Sequence, residues 1–408
     1  MELWRHSGGL LDIVRLGRDD RVGDALGVLL EPWAERLPAD LAAPLLVKPN
    51  LNNDLPGLTG NSTDLRVLAG VLAWLRARGH TDVTVADGSN VGVHRRGIDV
   101  FERLRVDRLA ARYGVRTLDL NRVESTEKEL ATGPIRVARP VLEAAAVINL
   151  PSVKTHAEAV YSSCVKNLIG VVCGQHKRRM HDDLIANLAC LPARVPTRLQ
   201  LVDGLVAMEG NGPGDGDPRP LGLLAAGEDP LIVDALVSRL LGFGRDEIPY
   251  LARARQDGRL RDPAGGLDGA PAFASLVKAP PRSLLARLAD ARFLQPLKVA
   301  ARPITGRPAV ARLAYRLGVI QDVYLTGGEI EAEARRRDEA ACRHCGECER
   351  ACPSGLTHEE IASGGEDPRC IGCLYCFWAC PHGAIELHGD PGPLQRALDR
   401  YRPNHRSS

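Results

Sequence analysis

Residues 342–353 read CRHCGECERACP, and residues 370–381 read CIGCLYCFWACP. Both stretches place four cysteines at the spacing C-x2-C-x2-C-x3-C, and a proline follows each fourth cysteine. The two copies together contain eight of the 11 cysteines in the chain, and every cysteine of the first copy recurs in the second at a constant offset. The region is therefore an internal duplication.

The duplicated spacing predicts two 4Fe–4S clusters. Three thiolates two residues apart can reach three irons of one cube, whereas the fourth cysteine of each run ligates the other cluster. The expected ligands are Cys342, Cys345, Cys348 and Cys380 for cluster 1, and Cys370, Cys373, Cys376 and Cys352 for cluster 2. Structural zinc would use four cysteines in two pairs, and disulfides are typical of secreted chains. Both alternatives are disfavoured, and the segment resembles a two-cluster bacterial ferredoxin domain.

Length and composition narrow the remaining choices. A chain of 408 residues with 44% apolar content is long enough for two or three globular domains. A formal net charge of +2 gives no reason to propose binding to nucleic acid or to a membrane. The first residues, MELWRHSGGLLDIVRLGRDD, become charged too soon for a signal peptide, and no apolar run is long enough to span a membrane. We therefore expect a cytoplasmic protein without a membrane span.

Upstream of the cysteines, short apolar runs alternate with stretches of helical periodicity. Strands are expected at 41–47, 81–88, 115–120, 135–139, 145–154, 198–209 and 221–227, and helices from 65 to Gly79, at 97–113 and at 230–241. This alternation predicts an α/β domain with a doubly wound, mostly parallel sheet over residues 1–250. A helical connector (251–338), a small α+β ferredoxin-like two-cluster domain (339–390) and a tail (391–408) are expected to follow.

Polar residues follow the ends of several predicted strands. Ligands of such sheets gather beyond the carboxyl ends of the strands, so we expect these residues to share a pocket. They are Lys48, Asn50, Asp87, Ser89, Lys154, Thr155, His156, Lys166, Asn167, Glu209, Gly210, Asn211, Gly212 and Gly214. Lysines and accessible glycine N–H groups suit an anionic ligand with carboxylate or phosphate groups. Lys154, His156 and Glu209 are the predicted catalytic residues, because a histidine near a lysine could donate a proton near neutral pH.

Each of these patterns also has a purely structural interpretation. Lys48 could be a solvated lysine at a strand end, and Asp87 could simply cap a helix. The sequence GNGPGDGD at 210–217 matches neither common phosphate-binding pattern, so it could be a surface loop. The basic run HKRRMH at 176–181 is more typical of a solvated helix start than of a metal site.

Seven short motifs, taken together and in this order, resemble the domain of unknown function 362 family. They are KPNLN (48–52), VADGSN (85–90), INLPSVKTH (148–156), VKNLIG (165–170), HDDL (181–184), VDGLVAMEGNGPGDG (202–216) and LAAGEDPLIVDALVSRLLG (224–242). Members of that family often carry a C-terminal two-cluster ferredoxin module. The resemblance implies an α/β domain whose pocket is lined by Lys48, Asn50, Asp87, Lys154, His156, Lys166, Asn167, His181 and Glu209. It supplies no reaction.

Three functions stay open from the sequence. The first is an iron–sulfur oxidoreductase, in which clusters pass electrons between a soluble partner protein and a small anionic substrate or an unidentified second cofactor. The second is a non-enzymatic electron carrier or maturation partner that docks on another enzyme through basic residues of 251–338. The third is a redox-neutral domain with structural clusters. The first is favoured, because a cluster pair and a strand-end pocket share one chain.

Overall fold

The computed structural model describes residues 1–95, 97–264, 266–280, 333–362 and 367–389. Most of the expected helical connector (251–338) and the expected tail (391–408) lie outside these residues. In the described part of the connector, one helix is present at Pro249–Gln256, and strand Glu333–Arg337 belongs to the cysteine module.

Ten of the described strands form one sheet around a parallel centre. They are β1 (Glu2–Arg5), β2 (Leu11–Arg15), β3 (Leu45–Pro49), β4 (Val83–Asp87), β5 (Arg116–Asp119), β8 (Ala146–Leu150), β9 (Ser152–His156), β10 (Val160–Ser162), β11 (Thr197–Asn211) and β12 (Asp215–Gly227), with β6 (Ser125–Leu130) and β7 (Gly133–Ala138) forming a separate hairpin. The main order is β1-β2-β12-β11-β8-β3-β4-β5, and β11, β8, β3, β4 and β5 are mutually parallel. The predicted α/β fold with a mostly parallel sheet is confirmed.

Helices cover both faces of this sheet. They are α1 (Val22–Leu30), α2 (Leu65–Ala77), α3 (Val91–Arg95), α4 (Val100–Arg103), α5 (Val106–Arg112), α6 (Arg139–Glu143), α7 (Cys164–Asn167), α8 (Leu184–Cys190), α9 (Pro230–Leu240) and α10 (Pro249–Gln256). Successive strand residues point to opposite faces, so Val47 and Ile148 join one buried core while Leu46 and Val147 join the other. Asp64 caps α2 by accepting a hydrogen bond from Arg66 N, and Asp229 caps α9 by accepting one from Leu231 N.

The chain reverses its direction across the sheet between β3 and β8. From β3 it proceeds outward through β4 to β5, and it then returns to place β8 on the other side of β3. In open α/β sheets the crevice at such a reversal, beyond the carboxyl ends of the strands, is where ligands bind. Pro151 then separates β8 from β9, which pairs with a more distal part of β11 and extends the sheet beyond this reversal.

Several elements differ from the expectation in detail. The predicted helix at 97–113 is two helices, because Arg105 adopts a left-handed backbone conformation with φ 61°. The predicted strand at 135–139 lies in the β6–β7 hairpin instead of the main sheet. The glycine-rich stretch at 210–217 is the tip of the long β11–β12 hairpin, in which Gly210 pairs with Gly216. The glycine-rich sequence indicates a turn, but it does not reveal that β11 and β12 on either side of it are 15 and 13 residues long.

The cysteine module is small and is closed by one antiparallel strand pair. Its elements are β13 (Glu333–Arg337), α11 (Glu347–Ala351), α12 (His358–Ala362), α13 (Tyr375–Ala379) and β14 (Ile385–His388). Strand β13 pairs with β14. Side chains of α13 and of the preceding loop, including Ile371, Leu374 and Trp378, are buried in the same core as α1, α2 and α5. The module is therefore packed against the α/β domain.

Candidate functional site

A cavity of about 260 Å³ lies beyond the carboxyl ends of β3 and β4, beside β9. We call it the central cavity. It is lined by Asn50, Asn52, Asp87, Gly88, Asn90, Val91, Lys154, His156, Ser162, Lys166, Asn167, Ile169, Gly170, Lys177, Arg178, His181 and Pro213. Most of these residues are polar, and cationic side chains predominate. The cavity occupies the crevice that the strand reversal creates.

Lys48 and Asp87 form a buried ion pair at the base of the central cavity. The Lys48 Nζ to Asp87 Oδ1 distance is 2.7 Å, and the Lys48 side chain is 0% exposed. Burial lowers the pKa of Lys48, and the adjacent Asp87 carboxylate opposes that effect. Asp87 also accepts hydrogen bonds from Leu51 N at 2.7 Å and Gly88 N at 2.8 Å. These bonds fix the ends of β3 and β4 to each other.

Gly170 makes room for this ion pair. A Cβ atom at position 170 would lie 2.1 Å from Asp87 Oδ1 and 2.6 Å from Lys48 Nζ. Both distances are far below van der Waals contact, and both atoms are buried, so neither can move aside. The glycine of the VKNLIG motif is therefore required by the packing of Lys48 and Asp87.

Lys154 enters the central cavity from β9 and is 1% exposed. Its Nζ donates a hydrogen bond to the carbonyl oxygen of Asn61. Burial and, second, the nearby Lys166 ammonium lower the pKa of Lys154 to about 7. An amine with this pKa exchanges a proton readily near neutral pH.

Two further lysines reach the cavity from other elements. Burial lowers the pKa of Lys166 and of Lys177 to about 8 in each case. Lys177 Nζ donates to Asn121 Oδ1, and Asn121 Nδ2 donates to Ser89 O at 3.1 Å. Among the residues that the structure describes, no hydrogen bond or salt bridge involves the Lys166 ammonium, which lines the cavity.

His156 offers a hydrogen-bond donor to the cavity. Its Nδ1 accepts from Glu158 N at 3.0 Å and from Ala159 N at 3.3 Å, so the proton of the neutral ring is on Nε2. Burial lowers the pKa of His156 well below 6.5, and the Lys166 ammonium acts in the same direction. Next to it, Glu158 Oε2 lies 3.3 Å from His181 Nδ1, and that hydrogen bond lowers the pKa of Glu158 to about 2.

The structure brings most of the predicted pocket residues together. Asn50, Asp87, Lys154, His156, Lys166, Asn167 and His181 line the central cavity, and Lys48 lies directly behind Asp87. Ser89 is buried next to the cavity, where its backbone oxygen accepts from Asn121. Thr155 points away, with Oγ1 donating to Gly210 O at 2.9 Å.

The predicted catalytic residue Glu209 and the glycines 210, 212 and 214 do not line the cavity. Glu209 Oε2 accepts a hydrogen bond from Val277 N at 2.9 Å, and Gly210 N donates to Val277 O at 2.7 Å. Gly212 is needed for packing, because a Cβ atom there would lie 2.1 Å from Thr155 O. Of this hairpin tip, Pro213 reaches the cavity. The polar residues that follow β11 in sequence are displaced because β11 runs 15 residues, well beyond its neighbours.

Two cationic residues of the cavity were missed by the sequence interpretation. Lys177 and Arg178 belong to the HKRRMH run, which the sequence indicated as a solvated helix start. In the structure, residues Gly174–His181 form a 3-10 helix that turns Lys177 inward, leaving it 5% exposed. The 3-10 repeat of three residues, and not the 3.6-residue repeat, aligns Gly174, Lys177 and Met180 on one face. Both Lys177 and Met180 are buried.

Four cysteines from both halves of the duplication line one small cavity in the module. They are Cys342, Cys345, Cys348 and Cys380, together with Arg337, Arg343, His358 and His382. His358 Nε2 lies 3.4 Å from Cys342 Sγ, and Arg337 Nη1 lies 2.7 Å from the same His358 nitrogen. Three thiols from one run and a fourth from the other are the donor set that a 4Fe–4S cluster requires, so the residues fit cluster 1.

The other four cysteines form a second group. Burial raises the pKa of the Cys376 thiol, and Cys352 and Cys370 raise it further because they are its neighbours. The Cys373 pKa is raised well above 9.0, first by burial and then by Cys352, Cys376 and Cys370. All eight cysteines of the duplication are free of disulfides. The residues of this group fit cluster 2, with the same crossed pattern of three plus one.

Residues 61–65 hydrogen-bond to lining residues of the central cavity on one side and to the cysteine module on the other. We call them the bridge segment. On the cavity side, Asn61 O accepts from Lys154, and Thr63 Oγ1 accepts from Asn50 N at 2.7 Å. On the module side, Leu65 N donates to Tyr375 OH at 3.2 Å. Asp203, whose pKa burial raises to about 7, accepts from Asp64 N and holds the middle of the segment.

A second, smaller cavity lies where the bridge segment meets the module. Its lining includes Ser62, Thr63 and Leu65 from the α/β domain, and Cys373 and Tyr375 from the module. Cys373, a predicted ligand of cluster 2, is thus adjacent to the bridge segment, which also hydrogen-bonds to Lys154 and Asn50 of the central cavity. The structure describes a lysine-rich cavity in an α/β domain, joined through one short segment to a module built for two clusters.

Comparisons with known proteins agree with this two-part description. The family model "Domain of unknown function (DUF362)" matches residues 45–239, and the model "4Fe-4S dicluster domain" matches residues 334–385. The chain therefore contains a domain of unknown function 362 followed by a 4Fe–4S dicluster domain. The resemblance predicted from the sequence is confirmed, and an iron–sulfur electron-transfer role follows for the dicluster domain. Among the described residues, none of the helices has the length and apolar character needed to cross a membrane.

Curated relatives match parts of the chain. Thylakoid-associated protein sll1697 of Synechocystis sp. is 37% identical over 125 residues, which are 29% of this chain and 39% of that protein. Probable anaerobic dimethyl sulfoxide reductase chain YnfG of Escherichia coli is 37% identical over 65 residues, 15% of this chain and 32% of that protein. Protein NrfC of Escherichia coli is 32% identical over 78 residues, 18% of this chain and 33% of that protein. The chain thus spans well under half the length of these relatives.

One solved structure also has partial likeness to the chain. The lactate racemase apoprotein from Thermoanaerobacterium thermosaccharolyticum superposes with a TM-score of 0.36 at 11% sequence identity. The superposition covers 59% of this chain and 55% of that chain. A likeness this distant carries no argument about function.

Proposed function

We propose that the protein is an iron–sulfur oxidoreductase, in which two 4Fe–4S clusters relay electrons to an anionic substrate or second cofactor in the central cavity. The observation that supports this proposal best is the bridge segment. Residues 61–65 contact Lys154 and Asn50 at the cavity and Tyr375 at the module. We take these contacts as support because one short segment connects the cavity residues to the module that would hold the clusters.

The two cysteine groups line different cavities. Cys373 lines the small cavity with residues of the bridge segment, whereas the Cys342 group lines a cavity without them, and His344 and His382 nearby are exposed. We therefore place cluster 2 next to the substrate and cluster 1 next to an external partner. That partner is proposed to be a soluble one-electron donor or acceptor protein, in the cytoplasm, where reducing conditions preserve thiolate ligands.

The chain's own residues would bind and protonate the ligand. When bound, the clusters supply one-electron oxidation and reduction. Lys48 and Asp87 hold the ends of β3 and β4 in place, and the cavity lysines bind the anion. Lys154 is the proposed proton donor because its pKa of about 7 allows exchange near neutral pH. His156 donates a hydrogen bond from Nε2 and stays neutral, since its pKa is well below 6.5.

The proposal is tested with anaerobically purified full-length protein. Iron and sulfide analysis should give about eight irons per chain, and dithionite should produce the paramagnetic resonance signal of reduced clusters. Small molecules released by denaturing a second sample are identified by mass spectrometry and added back to the reduced protein. Loss of the reduced-cluster signal, with conversion of the added compound, is the expected result.

Two lysine variants sharpen this test. Lys154→Met should keep its iron but slow reoxidation by the ligand at least a hundredfold, in line with the loss of a positioned acid. Lys128→Met, on β6 outside the cavity, is the matched control and should behave as wild type. Reduced clusters that stay reduced with every released compound would overturn the proposal and favour a carrier that docks on another enzyme. Clusters that dithionite cannot reduce would favour a redox-neutral domain.

A further inference from the structure

The charges around the central cavity do not balance. Asp87 is neutralised by Lys48 at 2.7 Å, and Glu158 lies against His181 at 3.3 Å. Three more lysines, Lys154, Lys166 and Lys177, line the cavity. Within the described part of the chain, none of these three forms a salt bridge with a carboxylate. Lys154 donates to the backbone carbonyl oxygen of Asn61, and Lys177 donates to the side-chain Oδ1 of Asn121.

The three lysines approach the cavity from different elements. Lys154 comes from β9 on the side of Asn61 and Pro213, and Lys166 comes from α7 near Glu158. Lys177 comes from the 3-10 helix beside Asn121 and Gly88. Lys154 and Lys177 are buried, and Lys166 is half-buried. Removing an ammonium from water without a carboxylate partner is costly, and one anionic ligand in the cavity would compensate all three lysines.

We infer that the central cavity binds a small organic molecule with at least two negative charges, a polycarboxylate or a phosphate ester, held by Lys154, Lys166 and Lys177. This inference rests on the proposed function and names its substrate class. Neutral donors on the lining, including the Asn50 side-chain amide and His156 Nε2, can complete the hydrogen bonds to carboxylate or phosphate oxygens. A volume of about 260 Å³ lies just below the usual range for drug-sized ligands, which suits a metabolite better than a dinucleotide.

Protons should be taken up when this ligand binds. Burial lowers the pKa of Lys154 to about 7 and of Lys166 and Lys177 to about 8, so part of each amine is neutral at pH 8. A bound anion favours the charged form and raises these pKa values again. The other ionisable groups facing the cavity or the three lysines are Lys48, Asp87, Asp119, His156, Glu158, Cys173, Arg178, His181 and Asp203. Of these, Glu158 stays ionised and His156 neutral between pH 7 and 9, and ionisation of Asp203 near pH 7 would also weaken anion binding.

Calorimetry on the oxidised, cluster-loaded protein tests the inference without any electron transfer. Citrate, glycerol 3-phosphate and inorganic phosphate are the multivalent probes, and acetate and glycerol are the singly charged and neutral controls. At least one multivalent probe should bind at millimolar concentration or below, with affinity falling from pH 7 to pH 9 and with net proton uptake in paired buffers. Binding of none of them, or binding of acetate as tightly as the multivalent probes, would overturn the inference.

Variants of the unpaired lysine complete the test. Lys166→Met should weaken the best probe by roughly tenfold to a hundredfold, the loss expected for a hydrogen bond to a charged group. Lys128→Met is the control and should bind as wild type. The ligand-free Lys166→Met protein should melt at the same or a higher temperature, because a half-buried ammonium without a salt bridge has been removed. Unchanged probe affinity in Lys166→Met would refute the assignment.

The two proposals fail in different ways. Multivalent anions that bind with proton uptake but never reoxidise reduced clusters would contradict the proposed oxidoreductase function and support the proposed ligand class. Reoxidation that depends on a neutral compound would support the oxidoreductase function and contradict the ligand class.

Discussion

The two cysteine groups of the module, nearly identical in spacing, meet the α/β domain in opposite ways. Around cluster 2, Ile371, Leu374, Tyr375 and Trp378 are buried in the core of the α/β domain. Around cluster 1, the contact is mainly charged: Arg18 meets Glu347 at 2.7 Å, and Arg21 meets Glu349 at 2.8 Å. Both arginines are 67% exposed. The duplication has thus given one cysteine group an apolar attachment to the α/β domain and the other an attachment through ion pairs.

This difference explains why the spacing alone could not assign roles to the clusters. The residues between the cysteines decide the surroundings: in the first copy they are RH, GE and ERA, and in the second IG, LY and FWA. Most of the apolar intervening residues of the second copy are buried in the core of the α/β domain, whereas Arg343 and His344 of the first copy are exposed. The difference predicts unequal consequences for matched mutations.

The largest effect is expected from removing one ligand of each cluster. Cys376→Ala and Cys345→Ala should each lose about four irons. Loss of cluster 2 should also destabilise the α/β domain, because the loop and helix that the cluster organises contribute buried side chains to its core. Cys345→Ala should leave the α/β domain folded and the central cavity able to bind its anion. Thermal melting and iron analysis measure both, and equal destabilisation would contradict the comparison.

Trp378→Ala tests the apolar contact while keeping every cysteine. The side chain is 1% exposed, and its removal should cost about 3–5 kcal/mol of unfolding free energy. Denaturant unfolding under anaerobic conditions measures the loss. Trp4→Ala, on the edge strand β1, is the control and should cost less because Trp4 is only half-buried. A smaller loss at position 378 than at position 4 would show that the module is held by something else.

Tyr375→Phe removes one hydroxyl between the module and the bridge segment. Leu65 N would lose its acceptor, which should cost about 1–3 kcal/mol because that amide is buried. The same variant should slow electron exchange between cluster 2 and a ligand in the central cavity. Freeze-quench electron paramagnetic resonance measures this rate. Tyr113→Phe, at a half-buried tyrosine outside the bridge segment, is the matched control. Wild-type stability and kinetics in Tyr375→Phe would argue against a role of the bridge segment in coupling the module to the central cavity.

The smallest effect is expected on the charged side of the module. Arg21→Ala breaks the exposed pair with Glu349 and should cost less than about 1 kcal/mol, with no loss of iron. High salt should reduce even this difference, since exposed ion pairs are screened. A loss comparable with that of Trp378→Ala would remove the distinction between the two attachments.

The sequence predicted the overall architecture well because local patterns determine it. Apolar runs and caps located β3, β4, β8, α2 and α9, and the alternation of strands and helices indicated the parallel sheet. The cavity residues nearest to those strand ends, such as Asn50, Asp87 and Lys154, followed from the rule that ligands gather there. Their functional roles stay predictions.

Other features depend on distances that local patterns do not contain. Glu209 was expected at the pocket because it follows an apolar run, but the length of β11 places it beside Val277. Lys177 was hidden in a basic run, and its inward direction depends on a 3-10 turn and on Asn121, 56 positions earlier in the chain. The bridge segment joins Leu65 to Tyr375 across 310 positions, so no sequence window contains both partners.

The burial of Trp378 and Tyr375 in the core of the α/β domain also ties the lifetime of the whole protein to iron supply. If the second cysteine group holds a cluster as proposed, a newly made chain without it should not order the loop and helix that carry these side chains, and the apolar surface beneath them should stay uncovered. Proteases and chaperones act on such partly unfolded chains. During iron starvation the protein should therefore disappear by degradation even if its messenger RNA is unchanged, and any pathway that depends on it would close without a dedicated regulator.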